Sequence, residues 1–345
     1  MTAAVAKRDI WVTERFLLRQ VQRHIAVFSA TIVPMQRLLT GLQPSGALHI
    51  GNYFGALKPF AEMYADYESY LMVVDYHALT SLRNGDELRE NIKNVVRDYL
   101  AVGIDPSKAV IFQQSQVHEH TELAWILECL VTVSFLELGH AYKDKVAKGI
   151  EATAGLFNYP MLMAADILLY DADVVPVGED QRQHLEYARE AAAKFNKAYG
   201  ETLKEPKELI QKSVAVVPGT DGKKMSKSYG NTIPLFGTKD DISKAVMSIV
   251  TDSAGDKPEH VYAIHKLLKS DAELAPLYEE HKGKYKALKD ALVEDLEALI
   301  APMREKRDAI TDAEVKKVLD EGSAKAREKA ASKMKEVRAR VGVSL

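Results

Sequence analysis

Four stretches restrict the fold most. YLMVVDYHALT (70–80), AVIFQQS (109–115), ADVVPVGED (172–180) and SVAVVPG (213–219) are near-continuous in apolar residues, and each exits into polar residues or glycine. A strand wetted on one face alternates apolar with polar. A strand buried on both faces does not, so these runs predict a parallel sheet between two layers of helices. The intervening sequence agrees. Residues 86–102 put Leu88, Ile92, Val95, Val96 and Tyr99 on one helical face and stop at Gly103 and Asp105-Pro106; residues 181–199 run as a helix to Gly200. Strands alternating with helices give a doubly wound α/β domain, whose ligands gather beyond the carboxyl ends of the strands.

Past about residue 239 the strand runs cease. Residues 240–345 are charged and helix-periodic, punctuated by Pro258, Pro276 and Pro302. This predicts an α/β domain over 35–238 followed by a mostly helical domain over 239–345. Residues 1–34 stand apart. They mix Lys7, Arg8, Arg15, Arg19 and Arg23 with Asp9 and Glu14 and lack the apolar centre of a secretory signal. They read as an extension ahead of Met35, with an organelle transit peptide as the weaker alternative.

The single cysteine, Cys129, excludes an internal disulfide or a thiolate metal cluster and suits a reducing cytoplasm. No apolar run reaches the length of a membrane span. A net charge of −3 gives no global attraction to nucleic acid, so any such contact must be local. The segment from Ser323 to Leu345 carries seven Lys/Arg against two Glu. A solvated helix face is the commoner reading of such a run, and a phosphate-contacting helix the rarer one.

Two stretches carry chemistry. TGLQPSGALHIGNYFGAL (40–57) crowds glycines, a proline and His49 into a strand-to-helix turn. Glycine lets backbone approach a ligand closely, and free N–H groups at a helix start hold phosphate. An ordinary turn explains the same pattern about equally well. DGKKMSKS (221–228) opens on a turn signal and follows with three lysines and two serines. Such a loop is usually just solubilising. Opposite a glycine-rich turn it can instead clamp a triphosphate, because lysine is a compact charge on a flexible stem.

HIGN (49–52) and KMSKS (224–228), in this order on a doubly wound pattern, resemble the paired signatures of class I aminoacyl-tRNA synthetases. The resemblance extends over about residues 35–345. GLQPSGALHIGNYFGAL, DYHALT (75–80), YPMLMAADILLY (159–170) and VPVGEDQRQHLE (175–186) are similar to bacterial-type tryptophanyl-tRNA synthetases. The related tyrosyl enzymes carry a tyrosine two residues before the first-strand glycine and an aspartate two after it. This chain has Leu39 and Gln43 around Gly41, and Leu39 cannot hydrogen-bond a phenol. Asn52 replaces the second histidine of the commonest signature and is still a donor.

The resemblance implies a Rossmann-like nucleotide-binding domain with a helical tRNA-binding domain behind it. It implies attachment of L-tryptophan to tRNA(Trp) through tryptophanyl-adenylate, with AMP and diphosphate released. ATP would be held by Gln43, Pro44, Ser45, His49, Gly51, Asn52, Gly178 and Asp180, and by Lys224, Met225, Ser226, Lys227 and Ser228. Tryptophan would be held by Leu39, Gly41, Gln43, His77, Tyr159, Met163, Asp166, Ile167, Val175, Val177 and Gln181. Lys143 of AYKDK would join Lys224 and Lys227 as the catalytic cations. Mg²⁺ would arrive through the ATP phosphates, with no metal site of the protein's own.

Several residues keep a plainer reading beside the functional one. Asp180 with Gln183 makes a capping box for the helix from Gln181. His77 can be a core histidine that happens to follow a strand. Asp166, in a very apolar helix, can be a buried acceptor satisfied by a protein donor or the acceptor of an indole N–H. EHTELAWILECLVTVSFLELGHAYKDK (119–145) is more apolar than one surface helix needs, which fits a core helix or a homodimer interface over 119–142. Two rivals remain at this point. A small nucleotidylyltransferase would not need the helical domain or GEDQ, and a non-catalytic RNA-binding relative would be free to lose His49 and the loop lysines.

Overall fold

The computed structural model describes residues 35–344 apart from 148, 150, 152, 178–181, 211–216 and 252–256. The extension expected over 1–34 therefore lies outside the described residues, as do Gly178, Asp180 and Gln181.

Five parallel strands form one sheet: β1 Arg37–Leu42, β2 Glu68–Val73, β3 Ala109–Gln113, β4 Val174–Val177 and β5 Lys207–Ile210. Their order is β3-β2-β1-β4-β5, so the winding reverses between β1 and β4. At such a reversal the connections leave in opposite directions and a crevice opens at the carboxyl ends. The β1–β2 ladder runs from Arg37 opposite Glu68 to Leu42 opposite Val73, whereas β1 meets β4 only at Leu38–Val174. Alternate side chains feed two cores. Leu38, Leu71 and Ile111 enter one, and Leu39, Met72 and Phe112 enter the other.

The strand expected over 213–219 does not take the fifth place. Residues 213–216 lie outside the described set, and Pro218 makes only an isolated antiparallel bridge to Lys224. Lys207–Ile210 is the edge strand instead, pairing with β4 alone. An edge strand that opens on Lys207-Glu208 does not have the apolar run that marks a central one.

Helix Gly85–Ala101 begins where the Asn84 side-chain Oδ1 accepts the Asp86 and Glu87 N–H groups, a standard cap for otherwise unpaired donors. The C-terminal region is helical, as expected, and includes Lys239–Met247, Tyr285–Ala309 and Asp312–Val341. Its last helix is no free basic arm. At Gly322 it backs so closely onto β3 that a Cβ would sit 1.8 Å from the Ile111 carbonyl oxygen. Ala326, Ala330, Met334 and Val337 then share a core with Phe112 and Leu127. Lys329 and Lys333 pair with Asp171 at 3.1 and 2.7 Å, Arg338 pairs with Glu122 at 2.5 Å, and Arg327 donates to the Gln116 carbonyl at 2.7 Å. Four of the tail's seven cations thus dock it to the protein's own surface.

Candidate active site

The reversal between β1 and β4 opens into a cavity of about 450 Å³. Nine of the eleven residues expected to hold tryptophan line it: Leu39, Gly41, Gln43, His77, Tyr159, Met163, Asp166, Ile167 and Val175. Val177 ends β4, and Gln181 lies outside the described residues. The walls are largely apolar because β1, β2 and β4 are buried strands and helix Ala154–Leu168 is apolar on most of its surface. Thr153 starts that helix by accepting the Leu156 N–H, and its pitch brings Tyr159, Met163 and Asp166 onto the cavity side. Thr80, Val74 and Leu185 also line the space and were not picked out in the sequence.

Asp166 is 2% exposed in this apolar surrounding. Oδ1 accepts Gln114 Nε2 at 2.8 Å and His120 Nδ1 at 2.6 Å; Oδ2 accepts His77 Nε2 and Gln114 Nε2, each at 2.9 Å. Three donor groups therefore converge on this one carboxylate, with Gln114 Nε2 shared between its two oxygens. Burial alone would raise its pKa. The charge of His120 and the bonds from His120 and His77 overcome that and hold the carboxyl well below the usual range. His120 is anchored in turn by the Tyr170 hydroxyl, 2.9 Å from Nε2. The two readings of Asp166 are therefore not alternatives: it is satisfied internally and it faces the cavity. Gln114 and His120 escaped the sequence reading. Gln114 follows directly on β3, a position where polar residues gather, whereas a histidine inside an apolar helix gives no such signal.

The second half of the site joins the glycine turn to the lysine loop. His49 precedes a short helical turn at Ile50–Asn52, and the Asn52 amide oxygen accepts the His49 N–H at 3.1 Å. A Cβ at Gly51 would lie 2.8 Å from His49 Nδ1 and 3.3 Å from Met225 Cβ. The side of this glycine where a Cβ would stand is thus occupied by the imidazole and Met225. Burial, helped by the charge of Lys227, lowers the His49 pKa to about 4, so the ring is neutral at pH 7. Its Nδ1 is buried and has no hydrogen-bond partner.

Lys227 donates to the carbonyls of Ser45 and Gly46 at 3.1 and 3.0 Å. The glycine turn and the lysine loop are therefore in contact although 181 residues separate Lys227 from Gly46. Backbone pairing reinforces this, since Ile50 N–H donates to Ile233 and Leu235 N–H donates to Leu48, both at 3.0 Å. Pro44 is buried beneath the turn, while Ser45, Lys224 and Ser228 are exposed around it. Ser226 Oγ lies 2.9 Å from Ser228 Oγ. Lys143 is exposed on helix His140–Ala147, whose Tyr142 packs edge-on against Phe157 of the cavity helix at 5.0 Å. Gln183 donates to the Leu138 carbonyl at 3.0 Å. The capping partner expected for it, Asp180, is outside the described residues.

An apolar cavity ending in an ionised carboxylate, next to a turn and loop rich in phosphate-type donors, can hold an aromatic N–H donor beside a nucleotide. Comparison with known proteins gives the same picture. The family model for tRNA synthetases class I (W and Y) matches residues 35–326. The tryptophan–tRNA ligase of Fusobacterium nucleatum is 49% identical over 90% of this chain and 98% of its own length. That of Rhodopirellula baltica is 44% identical over 89% and 99%. A crystal structure of tryptophanyl-tRNA synthetase from Campylobacter jejuni, complexed with ADP and tryptophan, superimposes with a TM-score of 0.85 at 42% identity, covering 89% of this chain and all of that one.

Proposed function

Because the chain belongs to the class I tRNA synthetases of the tryptophan and tyrosine group, we propose that it attaches L-tryptophan to tRNA(Trp) at the expense of ATP. The observation that carries the choice of tryptophan is the ionised Asp166 at the end of the apolar cavity. An indole N–H needs one acceptor in an otherwise apolar surrounding, and this cavity has that character. Because three protein donors already crowd Asp166, the indole reaches it by displacing one of them. Gln114 and His120 are fully buried, whereas the His77 side chain is 13% exposed, so His77 is the one that can turn aside.

Tryptophan's carboxylate attacks the α-phosphorus of ATP. The bond to the β-phosphate bridging oxygen breaks, and diphosphate leaves with the electron pair. A terminal ribose hydroxyl of tRNA(Trp) then attacks the carbonyl carbon of the adenylate and releases AMP. The carboxylate is already ionised and diphosphate is a competent leaving group, so activation rests on alignment and charge stabilisation. Lys224, Lys227 and Lys143 meet the migrating charge, and neutral His49 and Asn52 contribute as hydrogen-bond donors. Mg²⁺ enters as part of the substrate, through the ATP phosphates. Gly178, Asp180 and Gln181 complete the ribose and amino-acid contacts, and the helical region over 239–345 meets the tRNA.

The working unit is a homodimer through residues 119–142. Trp125 is 67% exposed, Val133 65% and Leu138 53%, a run of large apolar side chains that a second copy would cover. The activity belongs in the cytoplasm, where tRNA is charged and the exposed Cys129 stays reduced. ATP–diphosphate exchange is the test. Tryptophan should drive it, while tyrosine and phenylalanine should not; equal stimulation by tyrosine would overturn the reading.

A further inference from the structure

The loop carrying Lys224 and Lys227 lies at the surface, yet its backbone is fixed from beneath by one side chain that the motif does not include. Asn231 is 2% exposed. Its Nδ2 donates to Asp221 Oδ1 at 2.7 Å and to the Lys224 carbonyl at 3.2 Å. Its Oδ1 accepts the Ser226 N–H at 2.8 Å, and its own carbonyl accepts the Thr220 N–H at 3.0 Å. The chain on the other arm passes so near that a Cβ on Gly219 would sit 2.2 Å from Asn231 Nδ2. One side-chain amide thus ties together residues 221, 224 and 226, and the backbone of the same residue holds Thr220. Two residues further on, Ile233 pairs with Ile50 of the glycine turn. Asn231 is therefore the joint between the two halves of the site. The Asp221 carboxyl reflects the contact, since its pKa is lowered first by the bond from Asn231.

We propose that Asn231 is a positioning residue for amino-acid activation, holding the backbone on either side of Met225 so that Lys224 and Lys227 meet the leaving diphosphate in register. This rests on the proposed role of those lysines at the phosphates. The chemistry of the position is narrow. It needs two donors and an acceptor on one short planar group, with burial that leaves no water to replace a lost bond. Aspartate has the shape but would bring a second carboxylate against Asp221 and remove the donor that Asn231 offers to the Lys224 carbonyl. Serine is too short to span both arms.

The test uses three full-length proteins beside the wild type, Asn231→Asp, the double variant Asp221→Asn/Asn231→Asp and Lys227→Ala, each assayed for tryptophan-dependent ATP–diphosphate exchange and thermal unfolding. A misplacement of about 1 Å at a reacting centre costs about 10²-fold in rate. Asn231→Asp should lower kcat by about that factor and leave KM for tryptophan within about twofold, because the cavity is formed by other elements. The double variant exchanges donor and acceptor. The new amide at 221 can donate to the new carboxylate at 231 while still accepting the Lys223 N–H, which Asp221 now accepts at 3.0 Å. It should recover most of the lost kcat. Unchanged kcat in Asn231→Asp, or equal losses in both Asn231 variants with KM for tryptophan rising alongside, would overturn the proposal. If Lys227→Ala loses activity while Asn231→Asp does not, only the role of Asn231 falls. If Lys227→Ala is fully active, the phosphate role of the loop falls and this inference falls with it.

Discussion

The apolar cavity and the lysine loop solve opposite problems. Around Asp166 one buried, ionised carboxylate is held by protein donors, with His77, Gln114 and His120 converging on it. At the loop, Lys227 is exposed and rests on two neutral carbonyls of the glycine turn. In the first region a ligand must match an acceptor whose ionised state is fixed, because a wrong ligand leaves that charge unpaired in a low dielectric. In the second, an ammonium can exchange carbonyl oxygens for phosphate oxygens at little cost, since both are reachable and the phosphate is charged. The cavity is built to choose; the loop is built to move its bonds. On this reading, changes in the cavity alter which amino acid is activated, and changes in the loop alter how fast.

The strongest way to break that contrast is Asp166→Ala. It should reduce tryptophan activation sharply and narrow the preference over phenylalanine, which in the wild type should be on the order of 10⁴-fold or more. ATP binding should stay near normal. Exchange assays with both amino acids check this, and a folded variant that keeps its full preference would show that the indole is read elsewhere. Next in size is Lys227→Ala, expected to lower kcat by about 10²–10³ with tryptophan KM nearly unchanged. A rise in KM with kcat intact would place this lysine on the selecting side of the comparison instead.

A third test uses pH. His49 has its pKa lowered to about 4 from an ordinary 6.5, so the unfolded chain binds the proton more readily. Its contribution to stability is complete above pH 6.5 and is lost as pH falls toward about 4. Asp98, raised to about 6 by burial against the opposing pull of Arg307, contributes the opposite slope between about 6 and 3.8. The informative quantity is therefore the difference between wild type and His49→Gln in urea midpoint at pH 7 and 4.5. The variant should lose less stability on acidification, and parallel losses would mean that the imidazole is not desolvated in solution. The smallest effect belongs to the tail. Arg338→Ala removes a half-exposed pair with Glu122 and should cost under about 1 kcal/mol in chemical denaturation. It should leave the salt dependence of tRNA binding unchanged; a shallower slope would show that this cation meets phosphate.

The local patterns stood clear in the residues themselves. Three apolar runs with polar exits became β2, β3 and β4, the periodic residues before Gly103 became a helix, and the paired signatures marked where two loops had to be looked for. Such features depend on a residue and its near neighbours, through strand burial, capping and backbone freedom. What the sequence could not give was which distant side chains share a space. Gln114 and His120 stand 52 and 46 residues from Asp166, and Asn231 lies outside the signature it supports. The last helix looked like a charged tail because the first turns of its inward stripe in that segment are Gly322, Ala326 and Ala330, too small to stand out as apolar ahead of Met334 and Val337, while the partners of its cations sit on other elements. Hydrogen bonds and ion pairs across such separations are fixed only when the sheet order and the helix faces bring their elements together. No local preference encodes that meeting, so it was decided by the tertiary structure alone.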